Sequence, residues 1–279
     1  MNLQSTLKVY GSGTSEGAVK GWDTRGRGRH KEWSGNGQTQ AFWRDKQGHY
    51  LKERVKTVHD SMIKKYENKP SQEHPVIKLL VGGIASGKST VSSREFSGLR
   101  SPAVVSMDMF RSDLPEFKKV VGTSGTRLLQ EEASDIKDKV LMSAVSHNND
   151  IALDVAGSPR LAAQMDALEQ NGYRIFVTYI HTPVDASIIA SNNRANNPAS
   201  VPADRRRIDP ADTKASHDKA RSAVELLFKP GRELKVYGAF GEKLLYHKTS
   251  DGETKVKDES GLEDMRHARG ERSVPDIFN

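Results

Sequence analysis

Cysteine is absent from all 279 residues, which removes disulfide frameworks, thiolate metal sites and thiol redox chemistry from consideration. Such a chain suits a reducing compartment. No apolar run approaches the roughly 20 residues that a spanning helix needs. The opening stretch MNLQSTLKVYGSGTSEG also lacks the basic, then apolar, then small-residue order of a secretory signal. A soluble cytoplasmic protein with no membrane partner is expected. No internal repeat is visible, and the length allows one large domain with an appendage or two modest ones.

What the chain has instead is an uneven positive charge. The formal net charge is +7, and residues 1–75 hold nine Lys and five Arg against five Glu and three Asp, or +6 of it. Residues 1–48 are rich in Gly, Arg and polar groups, with Trp22 and Trp33 set among glycines, and such a segment cannot assemble a core of its own. It reads as a flexible or partner-ordered arm, and cations interleaved with Trp suit nucleic-acid or protein docking. KVYGSGTSEG imitates a dinucleotide loop but lacks GxGxxG spacing and a following amphipathic helix. From Tyr50 to Glu67, Leu51, Val55, Val58, Met62 and Ile63 recur at helical spacing, predicting a connecting helix within residues 49–75. Pro70 and Pro75 then break the pattern.

Beyond Val76, apolar runs alternate with amphipathic stretches. Strands are predicted over 76–81, 103–107, 151–155 and 173–180, and helices near 87–97, 125–147, 159–171, 183–194 and 211–227. Two short strands are expected around Gly238 and Gly241. This alternation predicts an α/β domain over residues 76–250 with a mainly parallel sheet flanked by helices. A polar tail is expected over 251–279.

At the end of the first strand, Gly82, Gly87, Lys88 and Ser89 satisfy G-x-x-x-x-G-K-[ST]. Backbone amides of Gly82, Gly83, Ile84, Ala85, Ser86 and Gly87 would curl round a phosphate, Lys88 would neutralise the β and γ oxygens, and Ser89, followed by Thr90, would present a hydroxyl to Mg²⁺. ATP with Mg²⁺ is the expected cofactor pair.

The partners of this loop decide among reaction classes. A switch GTPase needs N-K-x-D, which does not occur downstream, although DVAG at 154–157 imitates D-x-x-G. A motor ATPase needs a strand ending in Asp-Glu, and IALDV supplies one acid. A small-molecule or polynucleotide kinase needs an acid beside the γ-phosphate and mobile arginines. Asp108 ends an apolar run about twenty residues after Lys88, on what should be the adjoining strand; alternatively it caps a helix. Arg194 and Arg205–Arg207 flank a Pro- and Asn-rich excursion that reads as a lid, or as a solvated basic loop.

Together these residues resemble the zeta toxin family of P-loop kinases, over roughly residues 76–250. The matching features are GGIASGKS, DMFRSDLPEF from Asp108, LDVAG with Asp154, Arg194 and Arg207 thirteen residues apart, Asp209–Pro210, and His217–Asp218. The resemblance implies ATP-dependent phosphorylation of a hydroxyl on a small molecule, in the better-known members UDP-N-acetylglucosamine, within a bacterial cell and with an antitoxin as partner. It implies Asp108 as general base, Arg194 and Arg207 as phosphate clamps, and Arg111, Asp154 and Arg160 on the acceptor side, with Asp154 also serving the metal. The chain departs from the family where Glu and G-T-G-R are usual: it has Asp154 and VAGSPR, with Arg160 displaced by two positions. This departure falls on the acceptor pocket, so nucleotide or polynucleotide acceptors also stay open. A structural or nucleic-acid-binding role with a vestigial nucleotide fold is a further alternative. SEGAVKGWDTRGRG is similar to Gly/Arg-rich segments of tailed-phage virion proteins, which implies a virion partner for the arm.

Overall fold

The computed structural model describes residues 33–35, 37–67, 69–121, 123–197, 199–200 and 207–262. The virion-like stretch at 15–28, Trp22, Arg205 and Arg206 lie outside the described residues. After a helical turn at Thr39–Phe42, a helix runs through Lys52–Arg54, a π-turn at Val55–His59 and α1 (Asp60–Glu67). The main domain follows as β1 (Val76–Gly82), α2 (Lys88–Glu95), β2 (Ala103–Ser106), α3 (Met107–Asp113) and α4 (Phe117–Val120). It continues with α5 (Gln130–Ser146), β3 (Ile151–Val155), α6 (Pro159–Gln170), β4 (Arg174–Ile180), α7 (Val184–Asn196) and α8 (Pro210–Leu227). Strands β5 (Glu233–Tyr237), β6 (Leu244–Lys248) and β7 (Thr254–Val256) complete it.

The seven strands form one sheet in the order β2-β3-β1-β4-β5-β6-β7. The first five are parallel, as the near-continuous apolar runs of β1, β3 and β4 require of strands covered on both faces. β6 and β7 add antiparallel hairpins at one edge. Strand β7 lies in the stretch expected to be tail. Its three residues are all exposed, so it carries no apolar alternation that sequence reading could detect.

The order corrects one expectation. Strand β3 lies between β1 and β2, so the strand beside β1 on that side carries Asp154 near its C-terminal end, and Asp108 is not on it. Asp108 is in the first turn of α3, one strand further out. Strand order is a long-range property that local apolar runs do not encode.

The core is filled by Ile77, Leu79 and Val81 of β1, Val105 of β2, Ile151 and Leu153 of β3, and the inward face of α5 (Ala133, Ile136, Val140, Ala144). Burial of each of the larger side chains is worth about 1.5–3 kcal/mol. Trp33, Val58, Met62 and Tyr66 belong to the same buried cluster, so described residues of the expected arm and connecting helix are seated on the domain. Polar contacts reinforce the seat. Arg54 donates to both oxygens of Glu132 (2.7 and 3.0 Å) and both of Glu116 (2.9 and 2.8 Å). His59 lies 2.9 Å from Glu132, Tyr50 donates to Asp135 at 2.6 Å, and Trp43 to Glu116 at 2.9 Å.

Candidate active site

The C-terminal ends of the parallel strands open into a cleft of about 840 Å³. Strand β1 delivers its chain to the turn at 82–87, and α2 begins at Lys88, so the loop's amides and the helix N-terminus face the same space. Gly87 stands at φ +95°, and a Cβ there would lie 2.4 Å from the Phe240 backbone. Only glycine fits that corner. Ala85 is also left-handed, at φ 57°, a strained conformation that neighbouring contacts must hold.

Lys88 donates to the carbonyls of Gly82 (2.8 Å) and Gly83 (3.0 Å), and its ammonium lies 3.9 Å from Asp154 Oδ1. Burial pushes the Asp154 carboxyl above the usual carboxylate range; Lys88 pulls it down, and the charge of Asp108 adds to the rise. Two acids and a lysine are thus brought into electrical contact from three separate elements. Asp108 pairs with Arg111 one turn along α3, and Arg111 donates to Gln130 at 2.7 Å. The Ser86 hydroxyl is buried and has no hydrogen-bond partner among the described residues. Thr182 ties the loop to the β5–β6 turn, donating to Ser86 O (2.9 Å) and accepting from Phe240 N (2.9 Å).

The cleft brings together most of the expected residues. Ile84, Ala85, Ser86, Gly87, Lys88 and Ser89 line it, with Asp108, Arg111, Asp154, Arg194 and Arg207. Gly82, Gly83 and Thr90 do not line it; Gly82 lies close to the Ser86 and Lys88 side chains and the Ile180 carbonyl, and Gly83 to the His217 ring. Arg160 does not line it either. It sits exposed at the start of α6, because Gly157 and Ser158 turn the chain away from the sheet edge before the helix begins. Of the arginines expected on the acceptor side, Arg111 lines the cleft and Arg160 does not; Arg127 lines it as well.

Asp209 of the Asp209–Pro210 pair lines the cleft too, as do Arg127, Thr126, Gln130, Asp212 and Lys219, which were not anticipated. Asp212, Ser216 and Lys219 share one helical face, a spacing present in the sequence but ambiguous without a partner surface. Arg127 sits in a short 3₁₀ turn, and nothing in its local sequence distinguishes it.

For Mg²⁺, the Ser89 hydroxyl and the Asp154 carboxylate offer the hard oxygen donors that the ion prefers. No cluster of three or more His, Cys, Asp or Glu side chains suited to a metal occurs among the described residues. The donor set fits an ion that takes its remaining oxygens from nucleotide phosphates and water.

A parallel sheet in this order with a glycine loop, a lysine and paired acids at its C-terminal edge defines a P-loop α/β protein of the kinase type. The zeta toxin family's sequence model matches residues 59–251, and the chain belongs to that family. No curated protein matches the chain by sequence. Among solved structures, it is similar to a chain of the PezAT chromosomal toxin–antitoxin system of Streptococcus pneumoniae, at 17% identity and TM-score 0.55, covering 82% of this chain and 94% of that one. It is also similar to the native AvrRxo1-ORF1:ORF2 complex, at 14% identity and TM-score 0.58, over 78% and 76% of the two chains. The form of that complex with ATP gives 13% identity and TM-score 0.61, over 82% and 77%. No helix among the described residues is long and apolar enough to cross a membrane.

Proposed function

We propose that this protein transfers the γ-phosphate of ATP to a hydroxyl group of a small molecule, a nucleotide sugar such as UDP-N-acetylglucosamine being the favoured acceptor. The observation that carries this reading is the convergence of Lys88, Asp108, Asp154, Arg194 and Arg207 on one cleft. Family membership supports it, as does the likeness to a structure that holds ATP.

In this mechanism the amides of residues 85–88 hold the β-phosphate, and Lys88 turns from the carbonyls of Gly82 and Gly83 to the phosphate oxygens, which bind an ammonium more strongly. Asp108 accepts the proton of the acceptor hydroxyl as its oxygen attacks the γ-phosphorus and the bond to the leaving ADP oxygen breaks. Arg194 and Arg207 neutralise charge on the transferring group. Ser89 and Asp154 would hold Mg²⁺, which supplies charge neutralisation between the phosphates. Arg111 orients Asp108, and with Arg127 gives the acceptor end a positive character suited to a diphosphate-bearing substrate. An antitoxin that covers this cleft, and a virion or nucleic-acid partner for residues 1–48, belong to the same proposal.

The test incubates the full chain with labelled ATP against nucleotide sugars, nucleosides, dinucleotide cofactors and oligonucleotides. Label on a nucleotide sugar that vanishes in Asp108→Ala is the expected result. Transfer that persists in that variant overturns the base assignment, and label confined to oligonucleotides with a steep salt dependence replaces the acceptor class.

A further inference from the structure

The His217–Asp218 pair in the middle of α8 has no part in the mechanism above. Its two members face opposite ways. Asp218 is at the surface, 3.1 Å from Lys214. His217 is buried, with only 4% of its surface exposed, and its ring is turned to the phosphate loop. Nε2 lies 3.0 Å from the carbonyl oxygen of Ile84; a carbonyl only accepts, so Nε2 carries the proton. The preceding residue completes the hold: Ser216 Oγ accepts from the Ile84 amide at 3.0 Å. Both backbone polar groups of one loop residue are thus taken up by consecutive residues of one helix. The imidazole also lies against Gly83, where a Cβ would be 2.2 Å from the ring.

We propose that Ser216 and His217 are positioning residues for the donor phosphates. This rests on the nucleotide-binding reading of the cleft. Ile84 immediately precedes the left-handed Ala85, whose φ of 57° is strained for a residue with a side chain. Unless the peptides on either side are fixed, that strain relaxes by rotation of the loop, and the amides that should converge on a phosphate point in different directions. With the Ile84 amide and carbonyl both engaged outward, the following amides are held inward before the nucleotide arrives, so ordering them costs little at the moment of binding.

Helix α8 also begins three residues after Arg207, and Arg207, Asp209, Asp212, Ser216 and Lys219 all line the cleft. One helix therefore carries the latch on the loop and several side chains of the cleft, with Arg207 three residues before its start.

The test is calorimetric titration of the full chain with Mg-ATP, for the wild type and for His217→Gln, His217→Leu and Ser216→Ala. Glutamine can donate from its amide to Ile84 O; leucine fills similar space and cannot. Affinity should fall at least tenfold in His217→Leu and severalfold in Ser216→Ala, and His217→Gln should stay within about threefold of the wild type. A role confined to packing would not separate Gln from Leu. If the His217 variants do not fold, Ser216→Ala, which opens almost no cavity, decides the matter through the same titration. Wild-type-like affinity in Ser216→Ala together with equal affinity in the Gln and Leu variants overturns the latch alone. Absence of Mg-ATP binding by the wild type overturns the nucleotide reading and the latch with it.

Discussion

Replacing Arg54 by alanine tests whether the residues before the P-loop domain are part of its fold. Arg54 is 3% exposed and makes four bonds to Glu116 and Glu132, which are 7% and 0% exposed. Burial alone would raise the Glu132 carboxyl, but hydrogen bonds from His59 and Arg54 outweigh it and hold that group below its usual range. Removing the guanidinium leaves two carboxylates without their main partner, a change that costs on the order of 3–5 kcal/mol at neutral pH. For a chain of this size the thermal midpoint should fall by roughly 10 °C. The pH dependence carries a second sign. In the wild type, the depressed Glu132 contributes stability that is present above its unfolded pKa and is lost as pH falls through the folded one. In Arg54→Ala, Glu132 loses one of the hydrogen-bond donors that outweigh its burial, so its folded value rises, and the penalty is full at pH 7 and fades as pH falls toward about 4. Urea unfolding of both proteins at pH 7 and pH 4.5 should show the gap narrowing. A loss below about 1 kcal/mol at pH 7, or a gap that widens on acidification, would refute the view that this network ties residues 39–67 to α4 and α5.

Other expectations follow from the site and the core. Burial, with Arg221 and His217 adding, pushes His181 down to about 4; since this is below the ordinary histidine value, its contribution to stability is present above about pH 6.5 and is lost between there and pH 4, by up to about 3 kcal/mol. His181→Phe should flatten that part of the urea-unfolding profile, and an unchanged profile counts against the assignment. Lys88→Ala should abolish phosphoryl transfer while circular dichroism stays native, and Asp108→Asn should lower kcat by roughly 10²–10⁴-fold. Gly87→Ala should remove Mg-ATP binding, because a Cβ there would sit 2.4 Å from the Phe240 backbone; binding within twofold of the wild type would show that the Phe240 turn yields.

The sequence was sufficient for the local features. The alternating apolar and amphipathic runs marked β1 to β4 to within a residue at each end, because strands buried on both faces must be apolar throughout. The glycine loop was legible because φ above zero and close backbone approach can be met by few residues. The thirteen-residue interval between Arg194 and Arg207 was likewise readable as a spacing.

What depends on the path of the chain through space was not legible. The insertion of β3 between β1 and β2 gave Asp154 the place beside Lys88 that Asp108 had been expected to hold. A turn at Gly157 carried Arg160 away from the cleft, and a 3₁₀ turn brought Arg127 into it. Trp33 and Arg54 read as arm and connector because the segment around Trp33 carries no apolar period, and the helical spacing of Leu51 to Ile63 does not say which surface its apolar face covers. The partners of Arg54, Glu116 and Glu132, lie more than sixty residues further on. Local sequence determines which segments are strands, helices and phosphate loops, since backbone conformation is set by near neighbours. Only the tertiary structure decided which side chains share a cleft, because charge pairing and burial act across distances in space that sequence separation does not measure.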